Sequence, residues 1–136
     1  MNSLTEKKFE SDCIHTLMED SGGNLWIGTR QGVYILDADD QFHKLSEWMP
    51  GAELEFLHSR IFDIKEDAER NIWIATNYEG IVRINLQDKT YKRYAVGQKR
   101  DVQNIFCLLV DSRQQIWAGS MWNGLSYLSL IHISEP

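Results

Sequence analysis

The sequence is short of several things: only two cysteines and two prolines occur in 136 residues, and bases are outnumbered by acids, 14 to 20. Its longest apolar run, Ile105 to Val110, has six residues. Cys13 and Cys107 show no CxxC spacing, which excludes a disulfide framework and a cysteine-rich zinc site and leaves both as plain core thiols. A six-residue run is far below the roughly 20 needed to span a bilayer as a helix, so no membrane insertion by this segment is expected. A net charge of -6 supplies no positive field for phosphate, which argues against nucleic acid as a partner. Residues 1–12 mix Lys7, Lys8, Glu6 and Glu10 and do not form a secretory leader.

Catalytic signatures are equally scarce. The chain has no G-x-S-x-G elbow, no H-E-x-x-H, no P-loop and no G-x-G-x-x-G, so no catalytic residue is assigned. His15, His43 and His58 stand far apart in sequence, and no metal site or cofactor is expected. The run DSGGN opens like a calcium loop, but Gly22 stands where an oxygen ligand belongs and Gln31 replaces the closing glutamate.

What the sequence has is repetition. Three segments begin at Ile14, Ile61 and Ile105, and in each an aspartate (Asp20, Asp67, Asp111) stands six residues before a tryptophan (Trp26, Trp73, Trp117). A glycine follows each tryptophan by six or seven residues, at Gly32, Gly80 and Gly124. The tryptophans are 47 and 44 residues apart. Within each unit the apolar stretches are short, rich in Ile, Val, Leu and Tyr, and separated by turn residues, which reads as strands. Four are expected per unit: 13–19, 24–29, 32–36 and 41–45 in the first, 61–66, 71–76, 80–85 and 90–94 in the second. DSGGN, DAERN and DSRQQ are expected hairpin turns whose aspartate accepts backbone N–H groups. Only the first has glycine for a positive φ; Arg70 and Gln114 need a turn with negative φ or must carry strain.

Four-stranded units of this period build β-propellers. The fold expected is therefore all-β, a partial β-propeller of about two and a half four-stranded antiparallel blades. Residues 1–12 end a preceding blade or form a linker, 13–60 make a blade with a long outgoing loop, 61–104 a second blade, and 105–127 an incomplete third. Rings close with about 4 to 8 blades, so the chain reads as a fragment whose end faces need further blades.

The string I-x-x-[LI]-x-E-D-x-x-G-N-[LI]-W-I-G-T-x-x-G-[LV] resembles the two-component regulator propeller repeat of hybrid histidine kinases. Residues 14–33 match it almost throughout; the second unit departs at Arg70 and Ala75, and the third at Gln114, Gln115 and Ser120. The resemblance implies a non-catalytic, periplasmic, ligand-sensing propeller in a dimeric sensor kinase, often for saccharides, with the remaining blades of the parent as its neighbours. Alternatives are a fragment of a propeller lyase or glycosidase and a scaffold that binds only protein. Residues 128–136 resemble the in-frame translation of a sequencing-library adapter and are set aside on that reading.

Antiparallel topology puts the turns after each second strand on the same face as the links between blades. Arg30, Asn77, Tyr78, Trp122 and Asn123 are expected there, with Trp48 in the first link. An aromatic ring beside an amide suits a sugar, stacking on one face while bonding its hydroxyls.

Overall fold

The computed structural model describes residues 13–49, 59–77, 80–94, 105–122 and 125–131. The first sheet holds β1 (Ile14–Glu19), β2 (Leu25–Thr29), β3 (Gly32–Leu36) and β4 (Phe42–Lys44) in that spatial order, followed by a short helix, α1 (Leu45–Trp48). The second holds β5 (Ile61–Glu66), β6 (Ile72–Thr76), β7 (Ile81–Asn85) and β8 (Thr90–Tyr94). The third has three strands, β9 (Ile105–Val110), β10 (Ile116–Trp122) and β11 (Leu125–Ile131). All pairings are antiparallel between sequence neighbours, and the sheets do not close into a ring. The chain is therefore an open stretch of β-propeller, with strand limits within a residue or two of those the alternating pattern predicts. The helix α1 was not anticipated: LSEW carries no apolar period, and Lys44 N–H is held by Glu47 Oε2 at 2.7 Å.

The recurring aspartate and tryptophan form one clasp, built three times. Asp20 Oδ1 accepts the N–H groups of Gly22 and Asn24 at 2.8 and 2.9 Å, while Oδ2 accepts the Trp26 indole at 2.8 Å. Asp67 treats Glu69, Asn71 and Trp73 alike, all at 2.9 Å. Asp111 does so for Arg113, Gln115 and Trp117 at 2.8, 2.9 and 2.9 Å. The loop beneath is a tight turn whose fourth residue is left-handed, the geometry that matches the twist of a hairpin. That residue is Gly23 (φ 84°) in the first blade, but Arg70 (φ 67°) and Gln114 (φ 60°) in the others. The turn thus keeps its positive φ, and two side chains carry the strain. A fourth copy joins β3 to β4: Asp37 accepts Asp39 and Gln41 N–H groups, Asp40 takes φ 68°, and His43 stands in for the indole at 2.6 Å.

With their N–H groups satisfied, the indoles of Trp26 and Trp73 face the next sheet. Trp26 is fully buried in a cluster with Ile61, Ile64, Ile72, Ile74 and Ile84 of the second blade, and Trp73 in one with Ile105, Leu108, Ile116 and Ala118 of the third. Gly28 provides the slot: a Cβ there would lie 2.8 Å from Ile61 Cγ2. Polar ties supplement the core, from Ser21 N–H and Oγ to Glu66 at 2.8 and 2.9 Å, and from Ala68 N–H to Gln114 Oε1 at 2.7 Å.

The third sheet has a different register. In the first, Trp26 faces Ile35 and Gly28 faces Val33, and in the second Trp73 faces Arg83. By repetition Trp117 should face Tyr127, but it faces Leu130. Trp122 pairs with Leu125. The register therefore slips by three, an odd number, which exchanges the faces of β11. As a result β11 runs past Tyr127 to Ile131, which is buried opposite Ile116.

Candidate functional site

Of the residues expected on the loop face, Arg30 and Asn77 are found there. Arg30 is exposed in the β2–β3 turn and its N–H donates to Cys13 O at 3.1 Å; Asn77 N–H donates to Arg60 O at 3.0 Å. Gly32 and Gly80 close the two turns, with φ of 100° and 74°. Tyr78, Asn123 and Gly124 lie outside the described residues. Trp122, expected in a turn, is instead the last residue of β10, because the slipped register extends that strand. Trp48 ends α1, packs edge-on against Trp26 with centroids 6.2 Å apart, and lies 5.4 Å from the His43 ring, so it anchors the start of the blade link.

The structure adds a feature that the sequence pattern hides. The first strands of the blades run side by side, β5 packing on β1 and β9 on β5. In each, the ladder skips one residue: Ile14 faces Thr29 but Thr16 faces Gly28, Ile61 faces Thr76 but Asp63 faces Ala75, and Ile105 faces Ser120 but Cys107 faces Gly119. The skipped residues are His15, Phe62 and Phe106. A bulge turns a side chain away from the two sheet faces, and here it brings three rings together, His15 to Phe62 at 5.5 Å and Phe62 to Phe106 at 4.9 Å. Phe106 is 42% exposed. The row lies along the inner edges of the blades, at the end that carries Arg30 and Asn77. Each of the three residues directly follows the first isoleucine of its repeat. A period-two reading passes over it because the bulge breaks the period.

Beside the row sits Asp63, buried in β5. Its Oδ1 accepts Ile64 N–H at 2.9 Å, Thr16 Oγ1 at 3.4 Å and Lys65 Nζ at 3.3 Å; its Oδ2 accepts Leu108 N–H at 2.8 Å. One carboxylate thereby joins β1, β5 and β9, and with both oxygens engaged it serves to align three blades. At the opposite end, between the first two blades, a polar cleft of about 330 Å3 is lined by Asp20, Ser21, Asn24, Glu66, Arg70 and Asn85 among others. Among the described residues no group of His, Cys, Asp and Glu is placed to hold a metal ion, and no helix is long and apolar enough to cross a membrane.

Asp20, Asp37 and Asp111 are held toward their charged form. Burial raises the pKa of Asp20, but hydrogen bonds from Trp26, Asn24 and Gly22 outweigh it, and the net direction is downward. Asp37 is lowered by the Gln41 N–H and then by His43, and Asp111 by the Gln115 N–H and then by the Trp117 indole.

Residues 8–31 and 55–78 match the family model described as two component regulator propeller. The two spans contain Asp20 with Trp26 and Asp67 with Trp73. No curated protein matches the chain. Among solved structures it is similar to the extracellular domain of the hybrid two component system BT3049 from B. thetaiotaomicron, at 28% identity and a TM-score of 0.65 over 90% of this chain and 15% of that one. It is also similar to the extracellular domain of BT4673 from the same organism (18%, 0.65, 93% and 18%). A third similarity is to a catalytically inactive virginiamycin B lyase from Staphylococcus aureus with quinupristin (16%, 0.66, 91% and 44%). The last two likenesses are of fold. The chain thus spans less than a fifth of the two-component domains it resembles. Two of the chain's repeats, at residues 8–31 and 55–78, thus match the two component regulator propeller model, on a fold shared with the extracellular domains of two-component systems.

Proposed function

We propose that the chain is a non-catalytic segment of a ligand-sensing propeller from a hybrid two-component sensor kinase, acting in the periplasm. The observation that carries this reading is the similarity to the extracellular domain of BT3049 over 90% of the chain, joined to the repeat match. In such a parent, neighbouring blades complete the ring, and a change in dimer packing passes the signal to the kinase. The likeness to a lyase at 16% identity is one of fold and carries no activity over.

The ligand proposed is a small saccharide bound at the loop end of the axial row. Phe62 and Phe106 offer ring faces to the apolar side of a pyranose, and Asn77 and Arg30 offer donors to its hydroxyls. Titration calorimetry of the chain against neutral and acidic oligosaccharides tests this. Binding by one class is expected, weakened about tenfold or more by Phe106→Ala, with circular dichroism showing the sheet retained. Absence of heat with every class removes the saccharide reading, and saccharide binding unaffected by Phe106→Ala removes the axial site.

A further inference from the structure

One turn amide is held across both internal blade junctions, but by different means. Between the second and third blades, Ala68 N–H donates to Gln114 Oε1 at 2.7 Å, so the side chain at the left-handed position of one turn reaches back to the turn before it. Between the first and second, Ser21 takes the place of Ala68, and Arg70 that of Gln114. There Glu66 Oε1 and Oε2 accept the Ser21 N–H and Oγ–H instead, a role closed to Val110, which holds the same position in the third blade. Arg70 is thereby released from the tie. It keeps the left-handed backbone, φ 67°, and among the described residues its guanidinium has no hydrogen bond or ion pair.

The guanidinium lines the polar cleft of about 330 Å3 between these two blades. Both walls come from blades within the chain, so the cleft is formed without any flanking blade, and its volume suits a small ligand. The Asp20 and Glu66 carboxylates in it are occupied, the first by turn amides and the Trp26 indole, the second by Ser21. Unengaged groups remain on both sides of the charge balance: the Arg70 guanidinium, the Glu69 carboxylate, and Nδ2 of Asn85, whose Oδ1 accepts Asp88 N–H at 3.0 Å. Ile72 and Leu86 add an apolar wall. A simple anion meets the carboxylates of Asp20, Glu66 and Glu69, and a simple cation meets Arg70, whereas a ligand bearing both charges answers both.

We propose that this cleft binds a free α-amino acid or dipeptide with an apolar side chain. Arg70 and Asn85 take its carboxylate, Arg70 as a two-pronged donor, Glu69 takes its ammonium group, and Ile72 and Leu86 receive the side chain. The left-handed backbone of Arg70 is a cost of the kind that binding positions carry. The site lies at the opposite end from the axial row, and the inference stands whether or not that row binds a saccharide.

Titration calorimetry of the chain with L-leucine and glycyl-L-leucine tests it, beside L-leucine methyl ester and N-acetyl-L-leucine, which each lack one charge. At least one zwitterion is expected to bind, and both blocked forms about tenfold or more weakly. Arg70→Gly, which relaxes the backbone, and Glu69→Gln are each expected to weaken binding by about tenfold or more, with circular dichroism showing the sheet retained. Absence of heat with both zwitterions overturns the proposal. So does a blocked form that binds as well as the zwitterion, or binding that either substitution leaves unchanged. Should one variant lose its sheet signal, the blocked ligands and the other variant decide.

Discussion

The Asp67 carboxylate holds a turn and an indole at the same time. Replacing it with alanine leaves the Trp73 N–H, in a residue 0% exposed, without its acceptor at 2.9 Å, and frees two turn amides. Unpaired buried donors cost about 1–3 kcal/mol, so Asp67→Ala is expected to lower stability by about 2–4 kcal/mol in urea unfolding. Asp67→Asn retains one oxygen and should lose roughly half as much. The same turn offers a gain. Arg70 sits at φ 67°, where a side chain costs about 1–2 kcal/mol, and glycine returns about 0.5–1 kcal/mol of that in unfolded-state entropy. Arg70→Gly is therefore expected to stabilise by about 0.5–1 kcal/mol; a lower melting temperature would show that the Arg70 side chain contributes more than its backbone costs.

Between elements, the close approach of β2 and β5 depends on one missing methyl group. A Cβ at Gly28 would stand 2.5 Å from Thr16 Cγ2 and 2.8 Å from Ile61 Cγ2, contacts that a packed interior does not accommodate without movement. Gly28→Ala is expected to cost about 1–3 kcal/mol. Adding Thr16→Ser, which deletes the nearer methyl, should recover part of that loss, and no recovery would place the damage at Ile61 and the second blade.

For the molecule as a whole, the lowered carboxylates Asp20, Asp37 and Asp111 fix the sign of its acid response. A folded pKa below the ordinary 3.8 means that the unfolded chain binds protons first as pH falls. The stability these groups give is fully present above that value and is lost as pH falls through the folded ones. Urea midpoints measured from pH 7 to pH 2.5 should hold level at the upper end for these groups and drop below about pH 4. Asp111→Asn should make the drop shallower, and an unchanged drop would assign it to other carboxylates.

The sequence by itself determined the strands, the blade period and the clasp, because these depend on residues within about six positions of one another. Asp20 reaches Trp26, and Asp67 reaches Trp73, inside single hairpins. It also determined that Arg70 and Gln114 would be awkward, though not that strain would be accepted over a change of turn. Tertiary structure decided the rest. His15, Phe62 and Phe106 become one row only when β1, β5 and β9 lie side by side, and Asp63 becomes a clamp only when Leu108, 45 residues on, presents its N–H. The register of β11 departs by three residues from the one the other blades use, and an odd slip exchanges the faces of the whole strand. Contacts between blades are set by the geometry of stacked sheets, and no spacing within one repeat records them.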